Sequence, residues 1–305
     1  MSSNKAIEVK KLVKKYANDL IALKGIDLSV EKGDFFALLG PNGAGKSTTI
    51  SIINTITRKT SGQVWVNGIN QDKEMAKSKL QLGIVPQEFN FNIFESCIQI
   101  LINQAGFYGI KYNVAIKRAE GLLKEFGLWD KKDKPAGTLS GGLKRRLMVA
   151  RSLVHNPSIL ILDEPTAGVD INLRRSMWEL LTNLNKEGLT IVLTTHYLEE
   201  AERLCKNVAI IDQGVIIESA PIKELLSKIS VENLILYCDT IAQEVKLKDL
   251  KVKKIDQNTL EIELKKGASI TNLVKELNEK NISVNRIKNK ENQLEELFIR
   301  LTNND

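Results

Sequence analysis

Residues 40 to 47 read GPNGAGKS and satisfy the spacing G-x-x-x-x-G-K-[ST]. In such a loop the glycines let successive backbone N–H groups turn inward around phosphate oxygens. Gly40, Pro41, Asn42, Gly43, Ala44 and Gly45 would form that cradle, with Thr48 just beyond it. Lys46 would neutralise the terminal phosphates, and Ser47 offers a hydroxyl to Mg²⁺. Asp163 and Glu164 close the apolar run ILIL, which predicts two carboxylates at the carboxyl edge of a buried strand. In phosphoryl chemistry the first belongs beside the metal, and the second orients or deprotonates an attacking water. His196 follows TIVLTT, again at a predicted strand end, where an imidazole is suited to phosphate contact. Gln87 follows LGIVP; a neutral amide there can reach Mg²⁺ or the water and withdraw without stranding a charge.

A second anion site is predicted at LSGGLKRRL, residues 139 to 147. Ser140, Gly141 and Gly142 put free N–H groups at the start of a helix, although two glycines cost about 1 kcal/mol each relative to alanine. One chain with two phosphate grips implies that the second grips nucleotide held by another copy, so that nucleotide bridges a homodimer. Lys144, Arg145 and Arg146 are expected on a solvated helix face or against lipid headgroups. His155, before Pro157, has no supporting pattern and is expected to be structural.

These residues need a sheet to position them. Residues 7–9, 26–30 and 34–39 read as strands, the last leading straight into the phosphate loop. Residues 159–162 and 190–194 have the character of buried parallel strands, joined through a helix carrying Met177, Leu180, Leu181 and Leu184 and stopped at Gly188. Residues 88–138 are helix-like and predict a helical subdomain inserted into an α/β core. The character changes near Ala220. Leu260, Ile262 and Leu264 alternate with charged residues as in a half-buried strand. Ile270, Leu273, Val274 and Leu277 share one helix face, as do Leu294, Leu297, Phe298 and Leu301. The expected organisation is a first domain over 1–220 and a small α+β domain over 221–305.

The chain has 305 residues, 43% hydrophobic content and a net charge of +7, which suits a globular protein with an anionic partner. No stretch approaches 18 consecutive apolar residues, and the opening MSSNKAIEVK lacks a secretory core. A chain that neither spans a membrane nor is secreted is predicted. Cys97, Cys205 and Cys238 fit no metal spacing and are expected as reduced, structural thiols.

Taken in order, GPNGAGKST, Gln87, LSGG, ILILDEP, AGVD and His196 resemble the nucleotide-binding subunit of ABC transporters over roughly residues 7–220. The resemblance implies a P-loop NTPase core with a β-rich N-terminal part and an inserted helical subdomain. It implies an ATPase that uses ATP and Mg²⁺, dimerises around them and powers a separate membrane permease. The chain would then sit peripherally at the cytoplasmic face of the membrane, and no nucleic-acid partner is expected. It further implies Tyr16 stacking on adenine, Ser140 with Gly141 and Gly142 on the γ-phosphate in trans, Asp170 relaying between sites and Glu164 as catalytic base. Leu143 departs from the glutamine common in the signature. AGVD, the KRRL continuation and the small C-terminal domain resemble the drug, polysaccharide and lipid-type exporters whose permease is a separate polypeptide, and VPQEFNFN, QAGFYG, RRSMWEL and TTHYLEEAE are similar to the YadG-like ATPases of bacterial two-component exporters. Phe89, Phe91 and Phe94 would meet the permease or fill the helical subdomain's core. The alternative is a soluble ABC ATPase acting on ribosomes or DNA, disfavoured by the single cassette without coiled-coil or zinc insertions.

Overall fold

A computed structural model describes residues 4–166, 169–227, 231–239, 241, 247, 250–265, 267–290 and 293–302. Ala167 and Gly168 of AGVD lie outside the described residues. Two compact units are formed, Met1–Ala220 and Pro221–Asp305.

In the first unit, β1 (Lys5–Lys15) and β2 (Ile21–Glu31) lead to β3 (Phe35–Leu39) and α1 (Lys46–Ile53). Next come β4 (Ser61–Val66), β5 (Ile69–Asn70), α2 (Met75–Leu80) and β6 (Leu82–Val85). The helices α3 (Cys97–Phe107), α4 (Tyr112–Glu125) and α5 (Gly141–Leu153) follow, then β7 (Ile159–Asp163), α6 (Ile171–Lys186), β8 (Thr190–Thr195), α7 (Leu198–Leu204), β9 (Asn207–Asp212) and β10 (Val215–Pro221).

Two sheets result, because the sequence carries two patterns. Strands β1, β2 and β4 alternate buried and exposed positions and pair antiparallel in the order β2-β1-β4-β5. Strands β3 and β8 are buried throughout and lie centrally in the second sheet, ordered β10-β9-β3-β8-β7-β6. From β9 to β6 that sheet is parallel, so successive carboxyl ends reach one edge. In open α/β sheets that edge is where ligands bind. A continuous apolar core joins the sheets: Ile7, Leu12, Leu23 and Val64 from the first meet Phe36, Leu38, Ile161 and Val192 from the second, together with Ile52 and Ile53 of α1.

The helical insertion is built around α5, which packs on β6 and on α3 and α4. Helix α3 opens with a capping box, Ser96 accepting from the Gln99 N–H while the Gln99 side chain accepts from the Ser96 N–H.

The second unit contains α8 (Ile222–Ser227), β11 (Val231–Cys238), β12 (Lys251–Lys254), β13 (Thr259–Lys265), α9 (Ile270–Glu279), β14 (Val284–Asn289) and α10 (Gln293–Thr302). Its sheet runs β12-β13-β11-β14, antiparallel throughout. Leu260, Ile262 and Leu264 turn inward with Leu234, Leu236, Leu273 and Leu277, so the alternation does bury one face. Ile270, expected on that helix face, is instead 45% exposed, because it begins the first turn of α9. The three cysteines are free and buried.

Candidate functional site

Strand β3 delivers the chain into the loop 40–45, and Gly45 (φ 114°) turns it into α1. A Cβ at Gly45 would also stand 2.9 Å from the Ala22 carbonyl oxygen, so the position demands glycine both by dihedral and by space. The first helical residue is Lys46, only 6% exposed, whose ammonium donates to the carbonyls of Gly40 (2.7 Å) and Pro41 (3.0 Å). Burial pushes its proton affinity down, and Glu164 and Asp163 oppose that shift. Ser47 is exposed beside it, while Thr49 turns back to the Gly45 carbonyl at 2.9 Å.

Strand β7 ends on Asp163, which accepts a hydrogen bond from the Thr194 hydroxyl on neighbouring β8. Glu164 follows with φ 46°, a left-handed conformation that costs a non-glycine residue about 1–3 kcal/mol. Its N–H donates to the Thr194 carbonyl at 3.0 Å, which fixes the bend. The bend aims the carboxylate at two partners from other strand ends. Gln87, beyond β6, donates its amide N–H to Oε2 at 3.1 Å. His196, beyond β8, brings Nδ1 to 3.1 Å from Oε1. Glu164 is largely buried and His196 half-exposed, so the acid is enclosed while the imidazole faces outward. Tyr16, in the β1–β2 turn, places its hydroxyl 3.4 Å from that of Thr48, and the Lys14 ammonium sits 4.7 Å from its ring centre.

Tyr16, Asn42, Gly43, Gly45, Lys46, Ser47, Thr48, Gln87, Glu164 and His196 line one cleft of about 690 Å³, together with Leu20 and Ala22. Gly40 and Ala44 are buried in the loop's support instead. Pro41, Ser140, Gly141, Gly142 and Asp170 do not line the cleft, nor does Asp163, which stands behind Glu164 at the end of β7. Ser47, Gln87 and Asp163 supply oxygen donors of the hard kind Mg²⁺ prefers, and so few protein ligands suit an ion that keeps phosphate and water in its shell.

Ser140 is the N-cap of α5 but makes no side-chain cap bond, and both it and Gly141 are exposed. The helix end therefore presents its N–H groups outward. Gly142 is bare for a different reason: a Cβ there would lie 1.9 Å from Leu173 Cδ2. Leu173 belongs to α6, whose N-cap Asp170 accepts from the Leu173 N–H at 3.0 Å. The signature segment LSGG thus meets the first turn of α6, which Asp170 caps, within one chain.

The expectation for the cationic run 144–146 is overturned at Arg145 and Arg146, while Lys144 keeps partial exposure. Arg145 is 4% exposed and Arg146 half-buried, donating to the Phe126 carbonyl at 3.3 Å. Arg145 shares a helical stripe with the buried Gly142, Val149 and Ser152, a spacing visible in the sequence but masked by three adjacent charges. Thr194 was also missed, because a threonine in a β-branched run carries no chemical signal of its own. His155 stacks on Tyr108 with ring centres 3.7 Å apart and bonds the Leu82 carbonyl at 3.0 Å, a structural placement.

Residues 23–167 match the family described as ABC transporter. The linearmycin resistance ATP-binding protein LnrL of Bacillus subtilis is 35% identical over 305 residues, covering 97% of this chain and 98% of the relative. A Nod factor export ATP-binding protein I of Burkholderia thailandensis is 38% identical over 78% of each chain. Among solved structures, cbiO1 of Clostridium perfringens, part of the ABC transporter complex cbiONQ, superimposes with TM-score 0.67 at 33% identity, over 74% of this chain and 92% of that one. The dimeric ATP-binding cassette MJ0796 bound to ADP and Pi gives 0.64 at 28%, over 70% and 98%. With the phosphate loop, the paired carboxylates and the signature helix on one P-loop NTPase scaffold, and a relative matched over almost its whole length, the chain belongs to the ABC transporter family as an ATP-hydrolysing, ATP-binding subunit.

Proposed function

We propose that two copies of this chain close on two MgATP molecules and drive a separate membrane permease as an exporter. The observation that carries the shared-site reading is that Ser140 and Gly141 are exposed at a helix N-terminus yet do not line their own chain's cleft. Only a second copy brings that grip to the γ-phosphate.

Tyr16 stacks on the adenine, and the loop from Gly40 to Thr48 holds the phosphates with Lys46 on their charge. Mg²⁺, when bound through Ser47, Gln87 and Asp163, neutralises developing phosphate charge. Glu164 orients and deprotonates water, held by Gln87 and His196, and His196 contacts the γ-phosphate. Ser140, Gly141 and Gly142 complete the site in trans, and Asp170 relays between the two sites. Residues 1–220 act as the ATP-binding domain, and 221–305 as a small accessory domain.

The permease reading draws on a groove of about 720 Å³ of mixed character in the helical insertion, lined by Phe91, Ile100 and Phe107 together with Asn90, Glu95 and Arg151 among others. Phe107 in its lining is 86% exposed and Phe94 is 83% exposed, more than a subdomain core would leave bare. No helix among the described residues is long and apolar enough to cross a membrane; on this reading a partner supplies the spans and holds the chain at the cytoplasmic face. The export direction draws on the relatives named for linearmycin resistance and for Nod factor export, and the YadG-like, two-component reading on the sequence resemblance alone.

The test is size-exclusion chromatography of Glu164→Gln with and without MgATP, followed by a mild-detergent pull-down from native cells. Dimer only with ATP and a co-purifying multi-spanning protein is the expected result. A monomer under saturating ATP would remove the shared-site mechanism, and recovery of ribosomes or DNA in place of a membrane protein would overturn the transport reading.

A further inference from the structure

Helix α5 does more than present Ser140 and Gly141. Along its length it grips the segment that carries Gln87. Arg145 Nη1 donates to the Pro86 carbonyl at 2.9 Å and Nη2 to the Gln87 carbonyl at 2.8 Å, with the guanidinium 5.0 Å from the Phe89 ring centre. Six residues on, Arg151 Nη1 donates to the Asn90 carbonyl at 3.1 Å, and Nη2 to the Asn90 side chain. Just past the helix, His155 bonds the Leu82 carbonyl. The helix itself therefore holds the loop from Pro86 to Asn90, and His155 just beyond it holds the start of β6.

Arg145 is nearly fully buried. A buried guanidinium is strongly disfavoured unless its donors are met; the two carbonyls meet Nη1 and Nη2 while the buried Nε has no hydrogen-bond partner, so separating the fork from those carbonyls would leave the charge with still fewer acceptors. The side chain of Gln87 meanwhile bonds Glu164 at the catalytic carboxylate. Any backbone displacement of Gln87 must either break buried charge-assisted bonds or carry α5 with it. Carrying α5 moves Ser140 and Gly141.

We infer that Arg145 is a positioning residue that couples the two nucleotide sites: it makes the Gln87 segment and the signature helix move as one body, so that nucleotide met by Gln87 in one site sets where Ser140 and Gly141 stand for the other. This deepens the shared-site reading above and rests on it. The planar fork is the reason the residue is arginine. A lysine reaches one carbonyl but cannot hold two in a fixed relation.

The test compares Arg145→Met and Arg145→Lys with the unchanged protein, first alone and then combined with Glu164→Gln. Nucleotide affinity of the single chain, read by equilibrium binding of ADP, is expected to stay within about twofold, because Arg145 does not line the cleft. ATP-driven dimerisation of the Glu164→Gln protein should weaken roughly 10-fold or more in the Met variant, with kcat falling similarly and the Hill coefficient for ATP moving toward one. The Lys variant should lie between. A purely structural role would lower the unfolding midpoint and the active fraction while leaving the Hill coefficient and dimer affinity of the folded protein unchanged, and that result overturns the inference. Should Arg145→Met fail to fold, a folded Arg145→Lys with the original kcat and Hill coefficient overturns it equally. Failure of Glu164→Gln alone to dimerise would instead strike the shared-site reading, so the two failures are distinguishable.

Discussion

Glu164 keeps a left-handed backbone because the Thr194 carbonyl and the flanking strands over-determine it, and the strain directs its carboxylate between Gln87 and His196. Replacing it with glutamine preserves shape and removes the base. Steady-state ATP hydrolysis should fall by roughly 10²- to 10⁴-fold while equilibrium nucleotide binding persists. Retained hydrolysis would shift the base elsewhere. His155 yields a prediction of another kind. Burial drives its pKa from 6.5 to about 4, against the Leu82 bond and with help from Arg118. The unfolded ring binds a proton that the folded ring refuses, so the stability associated with the neutral ring is complete above pH 6.5 and lost as pH falls toward 4. The difference in unfolding free energy between the unchanged protein and His155→Gln should shrink across that window. After allowance for partial solvent contact, the change is on the order of 1–2 kcal/mol. A gap independent of pH would refute the assignment.

At the scale of elements, the contact of α5 with α6 is decided by one missing Cβ. Gly142→Ala places a methyl inside Leu173, so α5 must shift or Leu173 must change rotamer, at a cost of about 1–3 kcal/mol. ATPase activity should drop severalfold or more, because the first turn carrying Ser140 and Gly141 moves. Leu173→Ala alone opens space, and the double variant should recover part of the loss. A double-mutant cycle of kcat/KM measures this, and strict additivity would show that the contact carries no coupling. The run KRR illustrates why such contacts escape one-dimensional reading. Three adjacent cations suggest solvent, yet a helix turns each to a different face, and Arg145 falls on the buried stripe.

For the whole molecule, the exposed aromatics of the helical insertion and the site's cleft are separate surfaces, which allows partner binding and chemistry to be broken independently. Phe94→Glu with Phe107→Glu should abolish co-purification of the proposed permease and leave the ATPase rate of the isolated chain within about twofold, since neither residue lines the cleft. Loss of hydrolysis in the isolated chain would show that the two surfaces are not independent.

The amino-acid sequence alone determined the chemistry available: a contiguous loop motif specifies a phosphate cradle because its residues act as neighbours, and uninterrupted apolar runs specify buried parallel strands. It also exposed the candidates Gln87, Asp163, Glu164 and His196, each as the residue that ends or follows such a run. Tertiary structure decided what those candidates do to one another. Gln87 and Glu164 stand 77 positions apart and meet only because β6, β7 and β8 lie parallel and in register. The same holds for Arg145 on the Gln87 segment and Leu173 on Gly142: hydrogen-bond and van der Waals forces act over a few ångströms, and the distances that matter to them are set by packing rather than by position in the chain.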